Sequence, residues 1–139
     1  TSTKFIPHVL ELSFGVDRNV YGLLDLNYED HERGNVVLHL PSSVVPFTCA
    51  VFPLVKNKPG LVETARDVYN ALRKEFSCLY DQASSVGRRY ARADEMGVRW
   101  CVVVDFESLD DECVTIRDRE STKQERVPIA SLIEWIRNH

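Results

Sequence analysis

Residues 87–106 read GRRYARADEMGVRWCVVVDF, and this stretch decides the fold of the chain. Its first half is polar with apolar side chains at helical spacing, and Gly97 is the residue type that most often ends a helix. Its second half, VRWCVVVDF, is almost continuously apolar, which is typical of a strand buried on both faces. The stretch therefore predicts a helix that leads into a central strand of a parallel sheet.

The sequence on both sides repeats this alternation. Upstream, FTCAVFPLV predicts a buried strand, LVETARDVYNALRKEF a helix with one apolar stripe, and SCLYDQ a short strand. Downstream, CVTIRD and QERVPI predict a β-hairpin joined by RESTK, and IASLIEWIRNH predicts a final amphipathic helix. We therefore expect residues 41–139 to form an α/β domain with a mixed sheet of about five strands and about three helices.

Residues 1–40 have a different organisation. A short extended piece precedes a helix with Val16, Val20, Leu23 and Leu24 on one face, and VVLHL predicts a strand. These elements are too few to bury one another, so the segment is predicted to be the end of a truncated unit. We expect it to be mobile or to pair with a neighbouring molecule, because its apolar faces lack a core.

Composition excludes several classes of protein. The chain has 139 residues, 44% hydrophobic and 27% charged, and these values are typical of one globular domain. No apolar run is long enough to span a bilayer, and the first residues lack the order of a signal peptide, so no export is expected. The formal net charge of -4 argues against nonspecific nucleic-acid binding through bulk charge, although a local basic patch stays open.

Common catalytic and metal-binding patterns are missing from the sequence. It contains no GxxxxGK[ST], GxGxxG, GxSxG or HExxH motif, which removes support for several enzyme classes. The four cysteines have no paired spacing, so they are expected to be reduced thiols, and the four histidines are scattered singly. The acidic run SLDDE is interpreted as a solvated turn, and no metal site is predicted.

The arginines of residues 87–97 have two interpretations. On a helical wheel, Arg88, Arg92 and Glu95 share the face opposite Tyr90, with Glu95 placed to tether Arg92. The first interpretation is a surface helix decorated with salt bridges. The second is a nucleic-acid site, because guanidinium groups bind phosphates and stack on bases, and because ligands of α/β sheets bind at the carboxyl ends of parallel strands.

A second group of basic residues surrounds the predicted hairpin in IRDRESTKQER. Strand alternation places Arg117 and Arg119 on the same face. This pattern alone is typical of a solvated hairpin. Together with the first arginine group, however, it favours nucleic-acid binding.

Three strings carry a resemblance to a known family. SSVGRRYARADEMGVRWCVVVDF and VTIRDRESTKQERV, preceded by VVPFTCAVFPLV, resemble the C-terminal anticodon-binding domain of class II glycyl-tRNA synthetases. IPHVLELSFGVDR is similar to that family's motif 3. The resemblance implies the class II anticodon-binding fold for residues 41–139, preceded in residues 1–40 by the C-terminal remnant of a catalytic core.

The resemblance also implies roles for residues of the first segment. Arg18 matches the catalytic arginine that contacts ATP phosphate, and Gly15 matches a glycine beside the nucleotide. Glu11 and Ser13 match residues that line the glycine pocket. The implied cofactor is ATP with Mg²⁺, and the implied activity is glycine-tRNA ligase. Motifs 1 and 2 are absent, so the chain alone is expected to be inactive.

For the α/β domain, the resemblance implies recognition of the anticodon of tRNA(Gly), whose second and third positions are cytosine. The predicted anticodon-binding residues are Arg88, Arg89, Arg92, Glu95, Arg117 and Arg119, with Asp94 as the alternative acceptor for a cytosine amino group. The family also implies a homodimer located in the cytoplasm, with a mitochondrial form as the alternative. Two other functions stay open: an accessory subunit of mitochondrial DNA polymerase, and a free-standing RNA-binding domain.

Overall fold

The computed structural model describes residues 4–30 and 34–139 of the chain. The helices are α1 (Val16–Asn27), α2 (Pro59–Leu72), α3 (Val86–Glu95), α4 (Ser108–Asp111) and α5 (Leu132–Asn138). The strands are β1 (Tyr28–Glu29), β2 (Val37–Leu38), β3 (Cys49–Pro53), β4 (Cys78–Tyr80), β5 (Trp100–Val104), β6 (Cys113–Asp118) and β7 (Gln124–Pro128). A short 3-10 turn, Ile129–Ser131, precedes α5.

A five-stranded mixed sheet forms the centre of the molecule, in the order β4-β3-β5-β6-β7. Strands β4, β3 and β5 are parallel, whereas β6 and β7 run antiparallel to their neighbours. The predicted alternation of strand and helix followed by a hairpin is thus confirmed. Because β5 and β6 are antiparallel, the turn between β6 and β7 lies at the amino ends of β3, β4 and β5, opposite their carboxyl ends.

Both faces of the sheet are covered at β3 and β5, which explains their continuous apolar sequences. On one face, Cys49, Val51 and Val102 pack with the buried stripe of α2 and with Ile136 of α5. On the other face, α3 packs against Phe52. Every residue of β3 and β5 is buried, as a strand between two layers requires.

The predicted apolar stripe of α2 packs against the sheet in the expected way. Leu61, Ala65, Val68 and Leu72 are buried, and Phe76 is half-buried beside them. Full burial of a leucine side chain contributes roughly 1.5–3 kcal/mol. This stripe is therefore a main source of the stability of the domain.

Helix α1 forms as predicted, but its apolar face is not buried. Val16 is 75% exposed and Leu24 43%, and α1 contains no buried residue. Residues 4–15 contain neither helix nor strand. The last part of the first segment is packed, unlike α1. There β2 pairs with β1, and Val37 and Leu40 are buried. Packing of the apolar segment against a neighbouring molecule stays a prediction.

The cysteines are free thiols, with Cys49 and Cys101 buried and Cys78 and Cys113 half-buried. Within residues 4–30 and 34–139, no group of His, Cys, Asp and Glu side chains is arranged to hold a metal ion. The same residues contain no helix long and apolar enough to cross a membrane.

Candidate nucleic-acid interface

A groove lies at the carboxyl edge of the parallel strands, between α3 and the part of the sheet that α3 does not cover. Two adjoining cavities, of about 470 Å³ and 280 Å³, share Leu54, Asp105, Thr115 and Gln124. We call this region the carboxyl-edge groove. Val86 and Tyr90 of α3 line one side of it. Its position agrees with the general location of ligand sites in α/β sheets, just beyond the ends of parallel strands.

Phe106 supplies an aromatic surface in the groove. It follows the last residues of β5 and is 50% exposed, although it lines the larger cavity. The carboxylate of the neighbouring Glu107 is also exposed. Residue-type reasoning missed both side chains. The signal that could have found them is an aromatic residue placed directly after a buried strand, at the edge where the parallel strands end.

Arg126 is held rigidly at the other side of the larger cavity. Its Nη1 donates to Asp105 Oδ2 at 2.8 Å and to Thr115 Oγ1 at 3.2 Å, and its Nε donates to Asp111 Oδ2 at 2.8 Å. Its Nη2 bonds the second oxygens of both carboxylates. Every N–H of the guanidinium therefore has an acceptor in its own plane, and only the flat faces are left for a ligand.

The two carboxylates beside Arg126 are held in the ionised form. Burial alone would raise the pKa of Asp105, but hydrogen bonds from Arg126, Ser108 and Thr115 outweigh it and lower that pKa. Hydrogen bonding by Arg126 is also the main reason why the pKa of Asp111 is lowered. The same bonds raise the pKa of Arg126. This part of the groove is therefore a fixed surface in which one guanidinium is held between two carboxylates.

The exposed part of the arginine helix agrees only partly with prediction. Arg88 and Glu95 are exposed, and neither has a side-chain hydrogen bond or ion pair within the described part of the chain. The predicted tether between Glu95 and Arg92 does not form. Arg92 pairs instead with Asp81, with an Nη2–Oδ2 distance of 2.5 Å. Asp81 lies just after β4, at the same carboxyl edge as the start of α3. This position brings its carboxylate to Arg92, so Asp81 rather than Glu95 is the partner of the guanidinium.

Arg89, one of the predicted anticodon-binding residues, does not face solvent. It is 2% exposed, and its guanidinium donates to the carbonyl oxygens of Pro53 at 2.5 Å, Ser84 at 2.7 Å and Ala83 at 3.2 Å. These carbonyls belong to the end of β3 and to the turn before α3. Burial lowers its pKa. Arg89 therefore fixes the start of α3 against the sheet.

Arg117 and Asp94, both predicted to meet the anticodon, form a buried ion pair with each other. The bonds are bidentate, with Nη1–Oδ1 at 2.9 Å and Nη2–Oδ2 at 3.1 Å. Arg117 is 8% exposed and Asp94 2%, and the guanidinium lies over the ring of Tyr90. Burial opposes the charge of Arg117, but Asp94 outweighs it and raises the pKa of Arg117. The pair joins β6 to α3.

Arg119 is also buried, at 2% exposure. It donates to the carbonyl oxygens of Gly97 at 2.6 Å and Leu40 at 3.0 Å. Strand alternation correctly placed Arg117 and Arg119 on one face, but that face is covered by α3 and by the end of the first segment. Arg119 lies at the amino edge of the parallel strands, away from the carboxyl-edge groove.

The residues predicted from motif 3 do not form a pocket within the described chain. Glu11, Ser13, Gly15 and Arg18 are all exposed. Gly15 precedes the first turn of α1, and the nearest atom to a Cβ built on it is Arg18 Cβ at 3.9 Å. No described side chain closes over them to enclose a nucleotide, so this segment alone does not fit ATP and Mg²⁺.

Comparison with known proteins gives one consistent family. Residues 48–139 match the family model described as "Anticodon binding domain". The chain is 46% identical over 135 residues to a glycine--tRNA ligase of Aeropyrum pernix, covering 96% of this chain and 23% of that protein. It is 43% identical over 141 residues to one of Clostridium kluyveri, covering 99% and 30%.

A third relative, a glycine--tRNA ligase of Rhodopirellula baltica, is 40% identical over 146 residues, covering 99% of this chain and 27% of that protein. The chain thus spans only about a quarter to a third of the length of the relatives it matches. The match to them includes the segment before residue 48, and the order of the motifs agrees with the fold. The chain therefore belongs to the anticodon binding domain family, and over nearly its whole length it is similar to glycine--tRNA ligases.

Proposed function

We propose that this chain binds the anticodon loop of tRNA(Gly) through the carboxyl-edge groove, as the anticodon-binding part of a glycine-tRNA ligase. The observation that carries the proposal is the pairing, in one open groove, of the exposed ring of Phe106 with the fixed guanidinium plane of Arg126. Unpaired loop bases are recognised by stacking on such planes and by hydrogen bonds to their edges.

The chemistry of the groove suits cytosine. The amino group of cytosine is a donor, and a carboxylate is its natural acceptor. Glu107 provides one, because its side chain is 81% exposed and its Oε2 lies 3.8 Å from Arg126 Nη1, too far for a hydrogen bond that would occupy it. Phe106 and Arg126 would stack on bases while Glu107 accepts from an amino group.

The exposed residues of α3 extend this surface. Arg88 has a guanidinium with no competing acceptor among the described residues, which suits a phosphate contact near the start of the helix. Arg92 and Glu95 stay in the proposal as neighbours of the loop. Arg89, Arg117 and Arg119 support the fold instead, because their buried guanidinium groups are bound to carbonyl and carboxylate oxygens.

The test is binding of a labelled anticodon stem-loop with cytosine at the second and third anticodon positions. Phe106→Ala should weaken binding about tenfold, since one base-aromatic stack contributes roughly 1–3 kcal/mol. Glu107→Gln should reduce the preference for cytosine over uracil at one position. Phe5→Ala, at an equally apolar but distant residue that is 81% exposed, is the matched control. Unchanged affinity and selectivity in both groove variants would contradict the proposal.

The complete activity is part of the same proposal. In a whole glycine-tRNA ligase, Arg18 and Gly15 would contact ATP, Glu11 and Ser13 would contact glycine, and the protein would act as a homodimer in the cytoplasm. The support is the similarity of the first segment to relatives named glycine--tRNA ligase. The same similarity does not favour a polymerase accessory subunit or a free-standing RNA-binding domain.

The 139-residue chain alone should show no activity in this reaction. Glycine-dependent exchange of pyrophosphate into ATP measures the first half of the reaction. The expected result is a rate equal to that of a sample without protein. A rate above this background, proportional to the concentration of the chain, would show that motifs 1 and 2 are not needed.

A further inference from the structure

Residues 34–40 make an unusually close contact with the end of α3. Val37 is fully buried, and Leu40 is 8% exposed. Gly97 has φ +71, and a Cβ built on it would lie 3.0 Å from Leu40 Cδ1 and 3.1 Å from the carbonyl oxygen of Leu38. The contact therefore requires glycine at position 97, both for its backbone conformation and for the approach of the neighbouring chain.

Arg119 joins the two sides of this contact. Its Nη1 donates to the Gly97 oxygen at 2.6 Å and its Nη2 to the Leu40 oxygen at 3.0 Å. Its Nε donates to Glu120 Oε1 at 2.8 Å. A buried guanidinium is costly unless its donors are satisfied, so the geometry is expected to be well defined.

His39 extends the connection toward α1. Its Nδ1 lies 2.6 Å from Glu120 Oε2, its Nε2 lies 2.6 Å from Glu29 Oε2, and its backbone N–H donates to the Asn27 oxygen at 2.8 Å. Each ring nitrogen thus lies within hydrogen-bonding distance of a carboxylate oxygen, so the ring bridges Glu120 and Glu29. Burial would raise the pKa of Glu120, but Arg119 and His39 outweigh it and lower that pKa.

We propose that Arg119 and His39 are positioning residues of a latch that fixes the orientation of α1 relative to α3. The connected groups run from Glu29, which follows α1, through His39, Glu120 and Arg119 to Gly97, which follows α3. At its far end, α1 carries Arg18, and α3 begins beside the carboxyl-edge groove. The latch would hold both regions in one arrangement for a single tRNA; that purpose rests on the proposed function, whereas the latch itself does not.

The test compares the orientation of α1 in solution with that of the sheet. Residual dipolar couplings of α1 amides and of β3 and β5 amides should fit one alignment tensor in the wild-type chain. In His39→Gln, the α1 couplings should shrink by at least about half, and exchange of the His39 backbone amide should become about tenfold faster because its bonded neighbours open locally. The couplings of β3 and β5 should not change. His8→Gln, at an exposed histidine, is the matched control.

Arg119→Ala should give the same result or a larger one. Its control is Arg137→Ala, at an exposed arginine of α5 that pairs with Glu75. If Arg119→Ala prevents folding, His39→Gln decides the question. Unchanged α1 couplings and unchanged exchange in His39→Gln would overturn the latch, and so would α1 couplings that are already averaged in the wild type. Stem-loop affinity of His39→Gln should stay within about twofold of wild type. Failure of stem-loop binding in every variant would contradict the proposed function and leave the latch standing.

Discussion

Arg88 and Arg89 are adjacent in the sequence and differ completely in their surroundings. Arg88 is exposed, with no acceptor among the described residues, whereas Arg89 is 2% exposed and bound to three separate carbonyl oxygens. Arg119, at the amino edge of the parallel strands, is buried in the same way as Arg89, whose carbonyl partners lie at the carboxyl edge. An arginine-rich string thus contains two kinds of residue: those that hold the fold together and those available to a ligand.

The buried ion pair should show the largest effect when one partner is removed. Asp94→Ala leaves the Arg117 guanidinium buried without its carboxylate, which costs about 3–5 kcal/mol of the free energy of unfolding. Urea denaturation measures this loss. Asp110→Ala, at an exposed aspartate, is the control and should change stability by less than about 0.5 kcal/mol. A loss below about 1 kcal/mol for Asp94→Ala would mean that the pair opens readily to water.

The neighbouring arginines of α3 give the sharpest comparison. Arg89→Ala removes donors from the Pro53, Ala83 and Ser84 carbonyls and should cost roughly 2–3 kcal/mol of stability. Arg88→Ala should leave stability within about 0.5 kcal/mol and weaken stem-loop binding instead. Both quantities, the free energy of unfolding and the stem-loop Kd, are measured on both variants. Equal stability losses in the two variants would remove the distinction between them.

The smallest expected effect is the contribution of Asp105 to the loss of stability at acidic pH. The folded-state pKa of Asp105 lies below its ordinary value of 3.8, so its contribution to stability is present above that pH and is lost as the pH falls through the folded value. Because Asp105 is partly exposed and its partner Arg126 lies at the surface, solvent screens the pair and the contribution should be under about 1 kcal/mol. Thermal melting from about pH 6 to about pH 3 should show a shallower acid loss for Asp105→Asn than for wild type. An identical slope would assign the loss to other carboxylates.

Much of the fold followed from hydrophobic spacing. The apolar runs around Val51 and Val102 predicted buried strands, and the stripe from Leu61 to Leu72 predicted the buried face of α2, because each element must cover its apolar side chains. The order of strands was not predicted in the same way. Periodicity says which face of a strand is apolar but not which strand lies beside it.

The site was predicted less completely for the same reason. Helical spacing correctly predicted that Arg88 and Glu95 are exposed. The tether of Arg92 depends on Asp81, which comes near only because of the position of β4 in the sheet. Strand alternation could not tell that the face shared by Arg117 and Arg119 is covered. Phe106 and Arg126 come together in the groove because β7 pairs with β6 and β6 with β5, and this pairing is a tertiary fact.

The in-plane bonds of Arg126 have a consequence for how the chain meets its ligand. A guanidinium that already has two carboxylate partners exerts little long-range attraction on a polyanion, and covering its flat face displaces few bound cations from the nucleic acid. In a chain with formal net charge -4, electrostatic steering by the protein should then add little to the rate of association with the nucleic acid. Affinity at this groove should therefore depend only weakly on ionic strength. It should depend more on the identity of the bases than on the charge of the phosphates.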